Sequence, residues 1–161
     1  MGEWSNFFLG ELGAAAALAG LLFVSISVNQ ARILQLGRMA DRGLEALGML
    51  LLILVVASIA LIPGQSLRLL GTETLACGIA TLAAVIVLQR IYLREVAQIY
   101  RRSSASLALL NRSAVAAVAL SGAILLWRGD DVGLYLLPLG ILLSFVGAGS
   151  NAWVLLIEIN R

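Results

Sequence analysis

The chain has 161 residues, of which 61% are hydrophobic and 12% are charged, and its formal net charge is +2 at pH 7. Soluble domains carry charge on about a quarter of their residues, so this composition indicates an integral membrane protein. The chain has no histidine and a single cysteine, which excludes haem ligation by histidine, a histidine general base and an internal disulfide. We therefore expect no metal, no cofactor and no nucleic-acid partner, and we predict that the protein is not an enzyme.

Five apolar segments recur along the chain, and each is close to the roughly 20 residues that an α-helix needs to cross a bilayer. Charged or turn-forming residues bound each segment. The segments lie at about 8–28, 44–63, 72–92, 107–127 and 132–157. The sequence therefore predicts an all-α fold, a polytopic bundle of five transmembrane helices that forms a single membrane domain over residues 1–161.

The first segment presents two different faces at the helical period. Small residues, which allow helices to pack closely in lipid, share one face: Gly10, Gly13, Ala17 and Gly20. Polar residues, which should point into a bundle or a wet cavity, share another: Glu11, Ser25 and Asn29. Two interpretations of Glu11 stay open. Its carboxylate either binds a proton or cation together with oxygens from other helices, or it is a structural hydrogen-bonding group and interfacial anchor.

Turn and capping residues predict the boundaries of the middle segments. The second segment should end at Pro63, which cannot extend a regular helix. The third should begin at residues 72–74, where a threonine hydroxyl can cap free N–H groups, and should continue past Gln89 until the serine-rich residues 103–106 break it. Four arginines in this region are predicted to contact anionic lipid headgroups, with a docking surface for a cytoplasmic partner as the alternative: Arg90, Arg94, Arg101 and Arg102.

Only residues 128–131 separate the fourth and fifth segments, which predicts a tight antiparallel hairpin. In the fifth segment Gly140 and Gly147 are the predicted helix-packing positions. Ser144 and Asn151 are polar positions on the same stripe. If the polar faces of the first and fifth helices meet, five residues form one intramembrane polar seam: Glu11, Ser25, Asn29, Ser144 and Asn151.

The distribution of arginine predicts the orientation of the five spans. Crossing the membrane five times places the loops at 29–43 and 90–112 and the C-terminus on one side. That side carries nine of the eleven basic residues, all of which are arginine. By the positive-inside rule the N-terminus then lies outside and the C-terminus in the cytoplasm. The membrane concerned is predicted to be the bacterial cytoplasmic (inner) membrane.

Several stretches carry a resemblance to other proteins. They are the run GAAAALAGLLFVSISVN at 13–29, the loop ending in Arg42, the helix end Ile62-Pro63-Gly64-Gln65 and the C-terminal Trp153-Val154-Leu155-Leu156. With these features the chain resembles a group of small, uncharacterised bacterial multi-pass membrane proteins, some of which are labelled as modulators of a membrane protease. The resemblance implies no site residues.

Two functions follow as expectations. The first is a non-enzymatic membrane protein that packs against itself or another membrane protein and acts as a modulator or accessory subunit. The alternative is a small homo-oligomeric ion or proton channel or transporter with Glu11 on its pathway. Both expectations include a bilayer with anionic lipids on its cytoplasmic side.

Overall fold

The computed structural model describes residues 4–35, 39–95 and 101–156. Within these ranges the chain forms six helices and no strand: α1 (Ser5–Val28), α2 (Gln30–Gln35), α3 (Met39–Ala60), α4 (Leu67–Glu95), α5 (Arg101–Arg128) and α6 (Val132–Leu156). All of these except the short α2 are long and apolar enough to cross a membrane. The predicted all-α fold with five candidate membrane-spanning helices is therefore confirmed.

Four of the spans, α3 to α6, form a closed four-helix bundle. Each packs against the next one in the chain, and α6 returns to pack against α3. Short connections make α3 and α4, and likewise α5 and α6, antiparallel neighbours. α1 lies outside the bundle, mainly against α3, and barely touches α6. We call the end of the bundle where α3 and α5 begin the arginine-rich end, because Arg42, Arg94 and Arg102 lie there.

Facing glycines bring α4 and α5 into close contact. A Cβ on Gly78 would lie 2.8 Å from the Cα of Ala119, and a Cβ on Gly122 would lie 2.5 Å from the backbone nitrogen of Leu75. Real Cβ atoms essentially never show contacts this short, so the two backbones can approach to this distance only because these positions have no side chain. Such small-residue contacts are the usual way in which helices associate in lipid.

The start of α4 differs from the prediction. The helix begins at Leu67 rather than at 72–74, because the Ser66 hydroxyl accepts a hydrogen bond from the Leu69 N–H at 3.2 Å and caps the helix at that point. The hydroxyl of Thr72 instead donates a hydrogen bond within the helix, to the backbone oxygen four residues earlier. Residues 72–74, which the sequence favours as the start of the helix, therefore lie inside it.

Three further helix boundaries also differ from the prediction. The second span covers Met39–Ala60 instead of 44–63, so it begins earlier and ends before the proline. α5 begins at Arg101 and contains residues 103–106, which were expected to break a helix. Serine costs an α-helix only a few tenths of a kcal/mol, so packing in the bundle overrides that preference. The predicted continuation of the third span through 96–100 lies outside the described residues.

A tight turn joins α5 to α6, as predicted. Gly129 has a φ of +67°, a backbone conformation that favours glycine. One carboxylate oxygen of Asp130 accepts a hydrogen bond from the Val132 N–H at 3.2 Å, and the other accepts one from Arg128 at 2.9 Å. The hydrogen bond from the Arg128 side chain lowers the pKa of Asp130 below its ordinary value. The carboxylate therefore fixes the entry into α6.

The two faces of α1 meet different surroundings. Phe8, Ala15 and Leu22 recur every seven residues and are buried against the bundle. The small-residue face lies on the opposite side of the helix and is exposed. α1 therefore leaves uncovered the face that the sequence marks as its best packing surface.

Candidate functional site

Each helix of the bundle contributes one buried polar residue at a similar depth. These four residues, which we call the polar layer, are Glu45 on α3, Gln89 on α4, Asn111 on α5 and Asn151 on α6, and all four are 0% exposed. They lie four to seven residues inside the ends of the candidate spans at the arginine-rich end, which is about 6 to 10 Å at the rise of an α-helix. The four helices therefore share one polar cross-section in a largely apolar core.

The carboxylate of Glu45 is the acceptor at the centre of the polar layer. Its Oε1 accepts hydrogen bonds from Nε2 of Gln89 at 2.6 Å and from Nδ2 of Asn111 at 2.8 Å. Its Oε2 accepts a hydrogen bond from the hydroxyl of Tyr92 at 3.0 Å. An isolated carboxylate in the membrane interior would be very costly, and three donors from two helices offset that cost.

Two arginines surround this centre without bonding to the carboxylate. The Nε of Arg112 donates to Oε1 of Gln89, which directs the amide NH₂ group of Gln89 toward Glu45 and toward the backbone oxygen of Ala108. The guanidinium of Arg42 lies 5.3 Å from the centre of the Tyr92 ring and donates to the hydroxyl of Ser104 at 2.5 Å. Each arginine therefore contacts a neutral side chain that hydrogen-bonds to Glu45. Arg112 contacts Gln89, and Arg42 contacts Tyr92.

A glycine on α6 makes room for Asn111. A Cβ on Gly147 would lie only 2.0 Å from the Oδ1 of Asn111 and 3.1 Å from the side chain of Met49. The Oδ1 of Asn111 is buried and has no hydrogen-bond partner among the described residues. Gly147 thus allows the Asn111 amide to sit with its nitrogen on Glu45 and its oxygen against the α6 backbone.

Beyond the polar layer, away from the arginine-rich end, the bundle is closely packed. Fully buried apolar side chains from three helices fill it: Met49, Ile53, Val115, Val118, Leu137 and Ile141. Such packing leaves little room for water. Among the described residues, no group of three or more His, Cys, Asp or Glu side chains could hold a metal ion. The described polar contacts at the centre of the layer are hydrogen bonds to one buried carboxylate.

An open apolar groove lies on the outer side of α3, between α1 and α4. Its volume is about 780 Å³, and its lining residues on α3 include Glu45, Gly48 and Leu51. Its walls include Gly20 of α1 and Ala84 of α4. The helices that flank it are the least buried of the five: the buried share of the most apolar stretch is 17% in α1 and 22% in α4, against 44 to 56% in the others.

The structure does not join the five residues of the predicted polar seam into one line. Asn29 donates a hydrogen bond to the backbone oxygen of Ser25 at 3.0 Å, and Ser144 donates one to the backbone oxygen of its own helix four residues earlier. Asn151 belongs to the polar layer. Glu11 is half-buried on the side of α1 that also carries Ala15 and Leu22. The seam is not formed because α1 packs on α3, whereas the α6 stripe turns toward α5.

The predicted helix-packing residues divide into two groups. Gly140 and Gly147 lie at tight contacts with α5, where a Cβ on Gly140 would be 2.7 Å from the Val118 side chain. On α1, the positions of Gly10, Gly13 and Gly20 have no described atom within 4 Å of an added Cβ, and Ala17 is exposed. The α6 glycines therefore pack within the chain, and the α1 face is free within the described part of it.

The arginines predicted to contact lipid lie at the arginine-rich end. Arg90, Arg94 and Arg102 are exposed. The side chain of Arg101 lies outside the described residues.

Sequence reasoning missed Glu45, Asn111, Tyr92 and Arg42 as a group. The available signal was that Glu45, Gln89 and Asn111 all fall inside predicted apolar segments and at similar distances from their arginine-rich ends. Ionisable and amide side chains at such positions are expected to face the bundle interior and one another.

Comparisons of the chain with models of protein families, with curated proteins and with solved structures find no match.

Proposed function

We propose that this chain is a non-enzymatic, multi-pass protein of the bacterial cytoplasmic (inner) membrane that acts as a modulator or accessory subunit of another membrane protein. The observation that carries the proposal is the open face made of the small-residue side of α1, the groove and the outer side of α4. α1 and α4 are the two spans with the smallest buried share, 17% and 22%.

The chemistry of this face suits a transmembrane helix. Lipid tails are as apolar as leucine, so helices in a membrane associate through close packing rather than through the burial of apolar surface. Gly20, Gly48 and Ala84 line the groove, and an added Cβ on Gly20 or Gly48 meets no described atom within 4 Å. A helix of a partner protein, or of a second copy of this chain, can therefore approach the backbones of α1 and α3 closely.

The proposed orientation has the N-terminus outside and the arginine-rich end in the cytoplasm. It is supported by the nine arginines that the five-span topology puts on one side. In this orientation Arg90, Arg94 and Arg102, which are exposed, contact anionic headgroups of the inner leaflet, each with about 1 kcal/mol of attraction near the surface.

Two glycine variants test the proposed partner face. Gly20→Phe fills the groove, and Gly149→Phe adds the same side chain on α6. Neither position has a described atom within 4 Å of an added Cβ, so both variants should fold. We expect a membrane protein that co-purifies with the native chain in mild detergent to be retained by Gly149→Phe and lost with Gly20→Phe. Equal retention, or equal loss, would contradict the proposed face.

A second candidate function is a homo-oligomeric ion or proton channel. The observation that favours it is Glu11, a carboxylate inside the first span that is half-buried and has no hydrogen bond to the described part of the chain. Because the interior of the bundle is closely packed, such a pathway would run between copies. Flux of protons or Na⁺ into liposomes that falls in Glu11→Gln would support this candidate. Absence of flux in the native protein would contradict the channel function.

A further inference from the structure

Asn151 is the one member of the polar layer whose side chain has no partner within the described part of the chain. Its Nδ2 and its Oδ1 are both buried without a hydrogen bond, and the residue is 0% exposed. Leaving one buried donor or acceptor unsatisfied costs about 1–3 kcal/mol. Native structures therefore satisfy such groups, often with a buried water molecule.

The helical register directs this amide into the polar layer. Asn151 follows Gly147 by one turn of α6, and Gly147 contacts Asn111 and Met49 in the bundle interior. Glu45 precedes Met49 by one turn of α3, which runs antiparallel to α6. Asn151 and Glu45 therefore lie at the same level on facing helices. The free Oδ1 of Asn111 belongs to the same amide whose Nδ2 donates to Glu45 at 2.8 Å.

The unpaired atoms define the molecule that fits between them. Asn151 offers a donor and an acceptor, so its partner must both accept and donate hydrogen bonds. A cation is disfavoured because Arg42 and Arg112 already stand against the single negative charge of Glu45. An anion is disfavoured by the Glu45 carboxylate itself. An uncharged molecule with donor and acceptor capacity remains, and water is the smallest one that reaches a membrane protein interior.

We propose that the polar layer is a hydrated site in which Asn151 binds water beside Glu45, and that the water enters from the arginine-rich end past Arg42. The close-packed apolar side chains around Val118 close the opposite direction. At the arginine-rich end Arg42, which is 9% exposed, bridges from α3 to Ser104 of α5 at 2.5 Å. The proposed mouth of the site therefore lies between α3 and α5, at Arg42.

Thiol accessibility tests the site and its mouth together. In a Cys77→Ser background, which removes the natural thiol, Asn151→Cys is exposed to a small water-soluble methanethiosulfonate. We expect its thiol to react slowly. Adding Arg42→Ala should accelerate the reaction about tenfold or more, the change expected when a hydrogen bond from a charged group no longer holds the mouth closed. The control is Val118→Cys, at a position that is 0% exposed in the apolar part of the bundle.

Each outcome of this experiment decides the proposal. A reactive thiol at position 151, faster without Arg42, with an inert thiol at position 118, supports it. No reaction at position 151 in either background overturns it. Equal reaction at positions 151 and 118 also overturns it, because the whole bundle would then be opening. Acceleration by Na⁺ removal would point to a cation in the layer and likewise contradict an uncharged ligand.

A stability measurement that leaves residue 42 unchanged provides an independent test. If the Asn151 amide has no partner, Asn151→Leu should raise the midpoint of unfolding in SDS, because it removes an unsatisfied polar group at similar volume. If the amide binds water that is also bonded to the layer, the same substitution should lower the midpoint. We expect the lower midpoint, and a higher one would overturn the proposal.

Discussion

At the scale of single residues, Glu45 decides how three of the four bundle helices, α3, α4 and α5, are joined. Three donors converge on its carboxylate, and two of them, Gln89 and Asn111, are amides from different helices. A hydrogen bond to a charged group contributes about 1.5–3 kcal/mol, more than one between neutral groups. The apolar contacts of the bundle are non-directional, so this carboxylate is the group that fixes which faces of α3, α4 and α5 meet.

Replacing Glu45 tests that role. Glu45→Gln keeps one oxygen that can accept the hydrogen bonds of Gln89 and Asn111, and the Tyr92 hydroxyl can rotate to accept one from the new amide. We expect a loss of about 1 kcal/mol in the free energy of unfolding for Glu45→Gln. Glu45→Leu leaves the Tyr92 hydroxyl and the Asn111 amide nitrogen buried without an acceptor and leaves the Gln89 amide nitrogen with only the Ala108 oxygen. We expect a loss of about 3 kcal/mol or more. SDS or thermal unfolding measures both, and equal stability of the two variants would contradict this role.

Substitution of Gly147 provides a second test of the hydrogen bonds to Glu45. A Cβ there would lie 2.0 Å from the Oδ1 of Asn111, so Gly147→Ala should push the amide off Glu45 and destabilise the fold by about 1–3 kcal/mol. In an Asn111→Ala background the same substitution should cost much less, because the clashing atom is gone. A double-mutant cycle measures this coupling, and additive losses would show that the two residues act independently.

The sequence predicted individual polar residues better than their partners. Glu11 is conspicuous in the sequence as a carboxylate inside the first apolar segment, and Asn151 is conspicuous as an amide on the small-residue stripe of the last segment. Glu45 lies at the start of its apolar segment, where a charge also fits a loop. Helical phase alone cannot show that Glu45, Gln89 and Asn111 point at one another, because that depends on how three separate helices rotate and pack.

At the scale of the elements, the five spans were predictable and their contacts were not. Apolar length identifies a membrane helix because every backbone polar group must be bonded inside it. Helix ends were harder, since Ser66 caps α4 before the expected residues 72–74. The contact of α4 with α5 depends on Gly71, Gly78 and Gly122, and a single sequence shows such glycines without showing which helix they meet.

The close contact of α4 and α5 gives a matched pair of variants. A Cβ on Gly122 would lie 2.5 Å from the Leu75 nitrogen and 2.9 Å from the Gly71 oxygen, and backbone atoms cannot move aside easily. Gly122→Ala should therefore lower the free energy of unfolding by about 1–3 kcal/mol. Gly149→Ala, which meets no described atom within 4 Å, should leave stability unchanged or raise it slightly. The reverse order of stabilities would contradict the packing of these two helices.

At the scale of the whole molecule, the chain is a four-helix bundle with α1 attached to its side. The polar layer lies toward the arginine-rich end, the open face lies between α1 and α4, and α5 and α6 complete the bundle on the far side. This arrangement places an internal site that holds the bundle together next to an external face that is available to a partner, with Glu45 at the boundary between them. We expect substitutions in the first to lower stability and substitutions in the second to lower association.

The proposed orientation is tested by labelling intact cells. In the Cys77→Ser background, Asp131→Cys lies in the exposed turn between α5 and α6, and Arg102→Cys lies at the exposed start of α5. A membrane-impermeant maleimide should label the thiol introduced at position 131 and should label the one at position 102 only after the cells are broken. Labelling in the opposite order would show that the orientation is the reverse of the proposed one.

The most direct test of the proposed function is photo-crosslinking from two leucines of equal exposure. Leu51 lies in the groove, Leu139 lies on the outside of α6, and each is 52% exposed. With a photoreactive benzoylphenylalanine at each position in turn, we predict one protein-sized adduct from position 51, lost when Gly20→Phe is added, and only lipid adducts from position 139. Only lipid adducts from both positions, or the same protein adduct from both, would contradict a partner bound between α1 and α4.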